Sequence, residues 1–168
     1  KGVGGSASEG VGSGMGATIS HTGLVDGLTA FVGVSELEQE TDGGMTGDKS
    51  EYVLGATYAI GGVTLGYQVS NENFNRSAGT QYYDNAAYGI SFAVNDDLSI
   101  SYGEHKSERG AAGATVEPIE VKAKSAQIAY SMGGASLKIA QSSVTNQAYA
   151  SGSANDRDGT TVALSLAF

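Results

Sequence analysis

The segment TTVALSLAF, residues 160–168, alternates small or polar with apolar side chains from Thr161 to Phe168. Successive side chains of a β-strand point to opposite faces, so Val162, Leu164, Leu166 and Phe168 share one face. A soluble protein rarely ends on an unprotected Phe, because a frayed apolar end promotes aggregation. A membrane barrel instead places such a face against lipid and the final ring at the interface. The segment therefore predicts an antiparallel transmembrane β-barrel strand.

The same alternation recurs upstream and predicts an all-β chain of nine strands, the first at about 13–22. Short connections alternate with long polar ones; the short ones are 23–27, 61–62, 95–97 and 133–134, and the long ones about 38–49, 71–84, 107–120 and 145–159. Outer-membrane barrels have short turns on the periplasmic side and long loops outside. A soluble β-sandwich has no reason to alternate its loop lengths so strictly.

Composition is consistent with one domain over residues 1–168 and excludes several classes of protein. The chain has 26 Gly, no Cys and a formal net charge of −9. Disulfides therefore do not hold the fold, and the acidity argues against nucleic-acid partners. No apolar run reaches the length of a membrane-spanning helix, but a barrel strand needs only about 9–11 alternating residues. Residues 1–12 are Gly/Ser-rich and predict a flexible lead.

Aromatic side chains recur at one height along the predicted lipid face. Tyr58, Phe92 and Tyr130 each lie three residues before a short turn, and Phe168 ends the chain on the same side. Amphipathic rings at one level anchor a protein at a membrane interface. These four residues predict an aromatic girdle, the alternative being the ordinary core aromatics of a soluble β protein.

Strand parity suggests that the barrel is incomplete. Counting back from a last strand that ends at the periplasm, the first of nine strands would begin outside. Bacterial single-chain barrels normally have an even number of strands. We therefore expect these residues to be the C-terminal portion of a longer barrel. A tenth strand hidden in residues 2–8 is the alternative, although that stretch has almost no apolar alternation.

The opposite face is expected to line a pore. Lys138 lies between Leu137 and Ile139, and a bare Lys in lipid at mid-membrane costs about 2–4 kcal/mol. By the same parity the inward polar residues are Glu51, Gln68, His105, Gln127 and Lys138. The acidic net charge favours a mild cation preference. The alternative is that each of these side chains is merely solvated and has no effect on selectivity.

Chemical motifs are weak throughout the chain. His21 and His105 are the only histidines and no Cys accompanies them, so no metal site is expected. The segment 155–159 contains acids but lacks the spaced ligand that closes a calcium loop, and turn chemistry explains it better. No Ser lies in a nucleophile elbow followed by a helix. The sequence therefore predicts neither an enzyme nor a cofactor-binding protein.

The C-terminal segment, the strand pairs such as 52–58 and the loop pattern resemble the general diffusion porins of Gram-negative outer membranes, especially the Gly-, Ala- and Tyr-rich alphaproteobacterial kind. The resemblance covers about residues 13–168. It implies an outer-membrane barrel of about sixteen strands, usually a homotrimer, with a water-filled pore for passive diffusion of small hydrophilic solutes and ions. It also implies contact with membrane lipid and lipopolysaccharide, and recognition of Phe168 by the barrel-assembly machinery.

The sequence departs from this family by lacking the N-terminal strands and a recognisable inward-folded constriction loop. Two other functions stay open. One is the membrane anchor barrel of an autotransporter or adhesin, and the other is a soluble, extracellular, Gly-rich β binding module.

Overall fold

The computed structural model describes residues 11–39, 44–113 and 117–167. In these ranges the chain forms strands and two single-turn 3₁₀ helices. The strands are β1 Val11–Thr22, β2 Leu28–Gln39, β3 Lys49–Ile60, β4 Val63–Asn73, β5 Thr80–Ala93, β6 Leu98–Ala111, β7 Glu120–Met132, β8 Ala135–Thr145 and β9 Arg157–Leu166. The helices are η1 Gln147–Tyr149 and η2 Ser153–Asn155. Neither helix is long and apolar enough to cross a membrane.

The nine strands form one antiparallel meander in the order β1 to β9, each pairing with the next along the chain. This confirms the predicted all-β class and the number of strands in the described part of the chain. Strands β1 and β9 lie at the two edges and do not pair with each other, so the sheet is open.

The short turns form where the sequence supplies the required residues. Gly133 and Gly134 both have positive φ, 54° and 83°. The Gly-Gly sequence at 61–62 predicts a primed hairpin turn with positive φ at both residues, but only Gly61 has it, at 57°. Gly62 is needed for a different reason, since a Cβ atom on it would lie 2.9 Å from the carbonyl oxygen of Ala93. The close approach of the next hairpin leaves no room for a side chain.

The strands extend further than the hydrophobic pattern indicates. The connection predicted at 71–84 shrinks to 74–79, because β4 continues to Asn73 and β5 begins at Thr80. Strands β6, β7 and β9 likewise extend into stretches assigned to loops, and β1 begins at Val11, inside the expected flexible lead. In these extensions both faces are polar, so the alternation disappears while the ladder continues. Asn71 Nδ2, for example, donates to Asp84 Oδ1 across the strands at 2.6 Å.

The described residues contain no buried apolar side chain. Each of the nine strands instead exposes at least two large apolar side chains, and the register places all of these on one face of the sheet. We call this the apolar face and the opposite one the polar face. A sheet without a buried core needs something outside the described residues to cover its apolar face, because exposed apolar surface of this extent is rare on monomeric soluble proteins.

Candidate functional site

The five residues predicted to line a pore all lie on the polar face. In an antiparallel sheet, directly opposed residues share a face. Gln68 lies opposite Gly55 and Ala87, and His105 lies opposite Ala87 and Ala123, which places both in one cross-strand row. The strands that contribute the five residues are β3, β4, β6, β7 and β8, so the residues are spread over the sheet and form no compact catalytic cluster.

Glu51 belongs to a cluster of ion-paired and hydrogen-bonded side chains on this face. Its carboxylate accepts a hydrogen bond from Ser35 Oγ at 2.8 Å and pairs with Lys49 Nζ at 2.7 Å. The same ammonium lies 2.5 Å from Glu72 Oε1 on the neighbouring strand. Lys49 thus bridges two acids, in an open recess of about 340 Å³ lined by both of them.

Gln127 and Lys138 occupy the half of the polar face nearer the short turns. Gln127 Nε2 donates to Ser101 Oγ at 3.2 Å across β6 and β7. Lys138 lies opposite Ala129 and Ala163, so small side chains surround its stem. Amide, hydroxyl and ammonium groups supported by small neighbours make a surface that water can wet.

An aromatic stack lies near the long-loop end of the polar face. The rings of Phe74 and Tyr83 meet edge to face at 5.9 Å between centroids, and those of Tyr83 and Tyr149 meet at 5.5 Å. Cations lie over two of these rings. Lys49 Nζ is 5.0 Å from the Phe74 centroid, and Arg109 Cζ is 4.8 Å from that of Tyr149.

The connection between β8 and β9 delivers Tyr149 to this stack. Asn146, Ala148 and Tyr149 have left-handed backbones, with φ of 55°, 61° and 57°. Such a conformation costs a non-glycine residue roughly 1–2 kcal/mol, so the surrounding contacts must hold it. One of them joins the Tyr149 hydroxyl to Ser107 Oγ at 2.7 Å, and Ser107 is only 6% exposed. A long connection therefore folds over the polar face, although no such loop was recognisable in the sequence.

Three of the four girdle residues, Tyr58, Phe92 and Tyr130, lie on the apolar face close to the short turns. Phe168, predicted as the fourth and as the assembly signal, lies outside the described residues. The row of paired residues through Tyr58 reaches Ile90, two residues before Phe92. The row through Phe92 reaches Ile128, two residues before Tyr130. Each row of directly paired residues therefore arrives two residues short of the next aromatic residue. The three aromatic residues follow the strand ends near the short turns and do not share one row.

Towards the long loops, the apolar face becomes charged on β6 and β7. Glu104, which is 7% exposed, lies 3.9 Å from Lys106 and 3.7 Å from Lys124, and it accepts a hydrogen bond from the Tyr102 hydroxyl at 3.3 Å. Glu120 pairs with Lys122 at 3.4 Å. These ion pairs mark the edge of the apolar surface, and they flank the loop predicted at about 107–120.

No group of three or more His, Cys, Asp or Glu side chains in the described ranges could hold a metal ion. A scan against protein-family models found no match for the chain. A search of curated proteins found no match either. The arrangement of the two faces therefore carries the functional argument alone.

Proposed function

We propose that the chain forms part of the wall of an outer-membrane β-barrel porin, which lets small hydrophilic solutes and ions diffuse passively through a water-filled channel. One observation carries the proposal. The sheet has an apolar face that every strand exposes and a polar face opposite it, with no buried apolar core among the described residues.

The energetics of the apolar face favour a membrane. Burying one large apolar side chain is worth about 1.5–3 kcal/mol, so a face to which nine strands contribute must be covered along its whole length. A protein partner would have to match the area of the entire sheet. A bilayer covers it without specific contacts, and Tyr58, Phe92 and Tyr130 lie where one interface would be.

The edges of the sheet favour a closed barrel. In hydrocarbon each unsatisfied backbone group costs several kcal/mol, so only closed barrels and helices span membranes. The edges at β1 and β9 must therefore be paired with further strands, as the porin resemblance implies for a barrel of about sixteen. The steady stagger of rows from β3 to β7 is the kind of register that barrel closure requires.

The proposed mechanism is geometric and electrostatic. Apolar alternate residues hold the wall in lipid, and the Ser, Thr and Gln side chains of the polar face keep the lumen wet. The charged edge formed by Glu104, Lys106 and Lys124 would meet the lipopolysaccharide layer of a Gram-negative outer membrane. Homotrimer formation and recognition by the barrel-assembly machinery, which the porin resemblance implies, belong to the same proposal.

Conductance is the direct test. The purified protein, with its barrel closed by the further strands, should produce stepwise, ohmic current increments in potassium chloride when it is reconstituted in planar lipid bilayers. Stable insertion without conductance would contradict the channel and favour an anchor barrel. A monomer that stays in solution without detergent would contradict the membrane location and favour a binding module.

A further inference from the structure

The charged residues of the strands divide unequally between the two faces. On the polar face of the nine described strands the charged side chains are four cations and two acids: Lys49, Arg109, Lys138, Arg157, Glu51 and Glu72. Most strand acids, such as Asp84, Glu108 and Asp158, lie on the apolar face towards the long loops. The polar face is therefore net positive, although the chain carries a formal net charge of −9.

The two acids of the polar face do not neutralise its cations evenly. Both Glu51 and Glu72 contact Lys49, at 2.7 and 2.5 Å. Arg157 turns back to its own loop, where Nη1 donates to the carbonyl oxygens of Ala154 and Asp156 at 2.7 Å each. Within the described ranges no carboxylate lies within 4 Å of Arg109 or Lys138. The charges of Arg109 and Lys138 are therefore available to interact with ions and solutes in front of the polar face.

Arg109 is the better-positioned of the two. Its guanidinium lies over the Tyr149 ring at 4.8 Å, and that ring is held in turn by Ser107 and by the Tyr83 ring. A cation fixed on an aromatic surface loses less side-chain freedom when it binds a ligand. A guanidinium also presents paired donors that match the two oxygens of a carboxylate.

We infer that the polar face selects anions over cations, and that Arg109, beside the Tyr83–Tyr149 stack, is a binding site for small carboxylate solutes. This inference rests on the proposed channel function and names its preferred solute class. The acidic net charge alone predicts the opposite preference. It is a poor guide, because most of the acids lie on the apolar face or in connections, and screening acts over about 10 Å.

The test is the reversal potential of the reconstituted protein, with its barrel closed by the further strands, in a tenfold gradient of potassium chloride. The expected result is a chloride-to-potassium permeability ratio above one. A unit charge about 8 Å from a passing ion, in water and with a Debye length of about 10 Å, changes that ratio by about twofold. Arg109→Gln should therefore lower the ratio about twofold, whereas Arg109→Lys, which keeps the charge, should leave it close to wild type.

Lys122→Gln is the matched control, because it removes the same charge from the apolar face. It should leave the ratio unchanged. The carboxylate site has its own readout, which is saturation of the conductance in potassium acetate at a lower concentration for the wild type than for Arg109→Gln. A preference for potassium, or equal effects of Arg109→Gln and Lys122→Gln on the permeability ratio, would overturn the anion inference. Neither result would contradict the proposed channel function. Identical acetate saturation in the two proteins would overturn the carboxylate site, and absence of any conductance would overturn channel and inference together.

Discussion

Neighbouring positions on one strand should respond oppositely to the same new charge. Ile128 lies on the apolar face in the middle part of β7, opposite Ile100 and Ile139, and is 44% exposed. Gln127, the preceding residue, lies on the polar face opposite Ser101 and Ala140. The proposed membrane wall predicts that Ile128→Arg is costly and Gln127→Arg is tolerated.

The expected difference in unfolding free energy between the two variants follows from the surroundings of each side chain. An Arg on the lipid face near the midplane costs about 2–4 kcal/mol. At the polar face an Arg meets water, and the change removes only the hydrogen bond from Gln127 to Ser101, which is worth about 0.5–1.5 kcal/mol. We expect Ile128→Arg to lower the free energy of unfolding by about 2–4 kcal/mol and Gln127→Arg by about 1 kcal/mol or less.

The assay is equilibrium urea unfolding of the protein folded in lipid vesicles, followed by far-UV circular dichroism. Ile128→Leu serves as the control for a change of shape without charge and should cost less than about 1.5 kcal/mol. Equal costs for the two Arg variants, or a larger cost at Gln127, would refute the assignment of the two faces to lipid and water.

Three further variants test local features. Gly55→Val places a Cβ atom 2.5 Å from Cζ of Phe31, and should cost about 1–3 kcal/mol in the same urea assay; wild-type stability would show that the Phe31 ring does not lie against Gly55. Lys49→Met leaves Glu72 without its cation, and should cost about 1 kcal/mol because the pair is partly exposed; adding Glu72→Gln should recover part of this loss. Tyr149→Phe removes one hydroxyl and should preserve the single-channel conductance, whereas Tyr149→Ala should raise it; equal conductance in the two would show that the ring does not narrow the channel.

Side-chain parity could be predicted from the sequence because it depends on a local period of two. Lys138 between Leu137 and Ile139 has only one physically consistent orientation in a membrane wall, and the register indeed places it opposite Ala129 and Ala163 on the polar face. The nine strands follow for the same reason, since each carries its own apolar alternation.

The aromatic stack could not be predicted, because it depends on regions where that period is lost. Tyr83 and Arg109 lie in strand extensions whose two faces are both polar, so the pattern assigned them to loops. Tyr149 reaches them only through a connection with left-handed backbone at non-glycine residues, for which the sequence offers no signal. The division of charge between the faces depends on the same extensions, which is why net charge alone pointed to a cation preference.

The most direct measurement of the central claim uses tryptophan fluorescence, because residues 1–168 contain no Trp. Leu164→Trp places the probe on the apolar face of β9, and Ala163→Trp places it on the polar face opposite Lys138. In vesicles containing lipids brominated on their acyl chains, the Leu164→Trp signal should be strongly quenched, and the Ala163→Trp signal should respond instead to iodide in the water. Equal quenching of both probes by the brominated lipids, or quenching of neither, would contradict a sheet with one face in lipid and the other in a water-filled lumen.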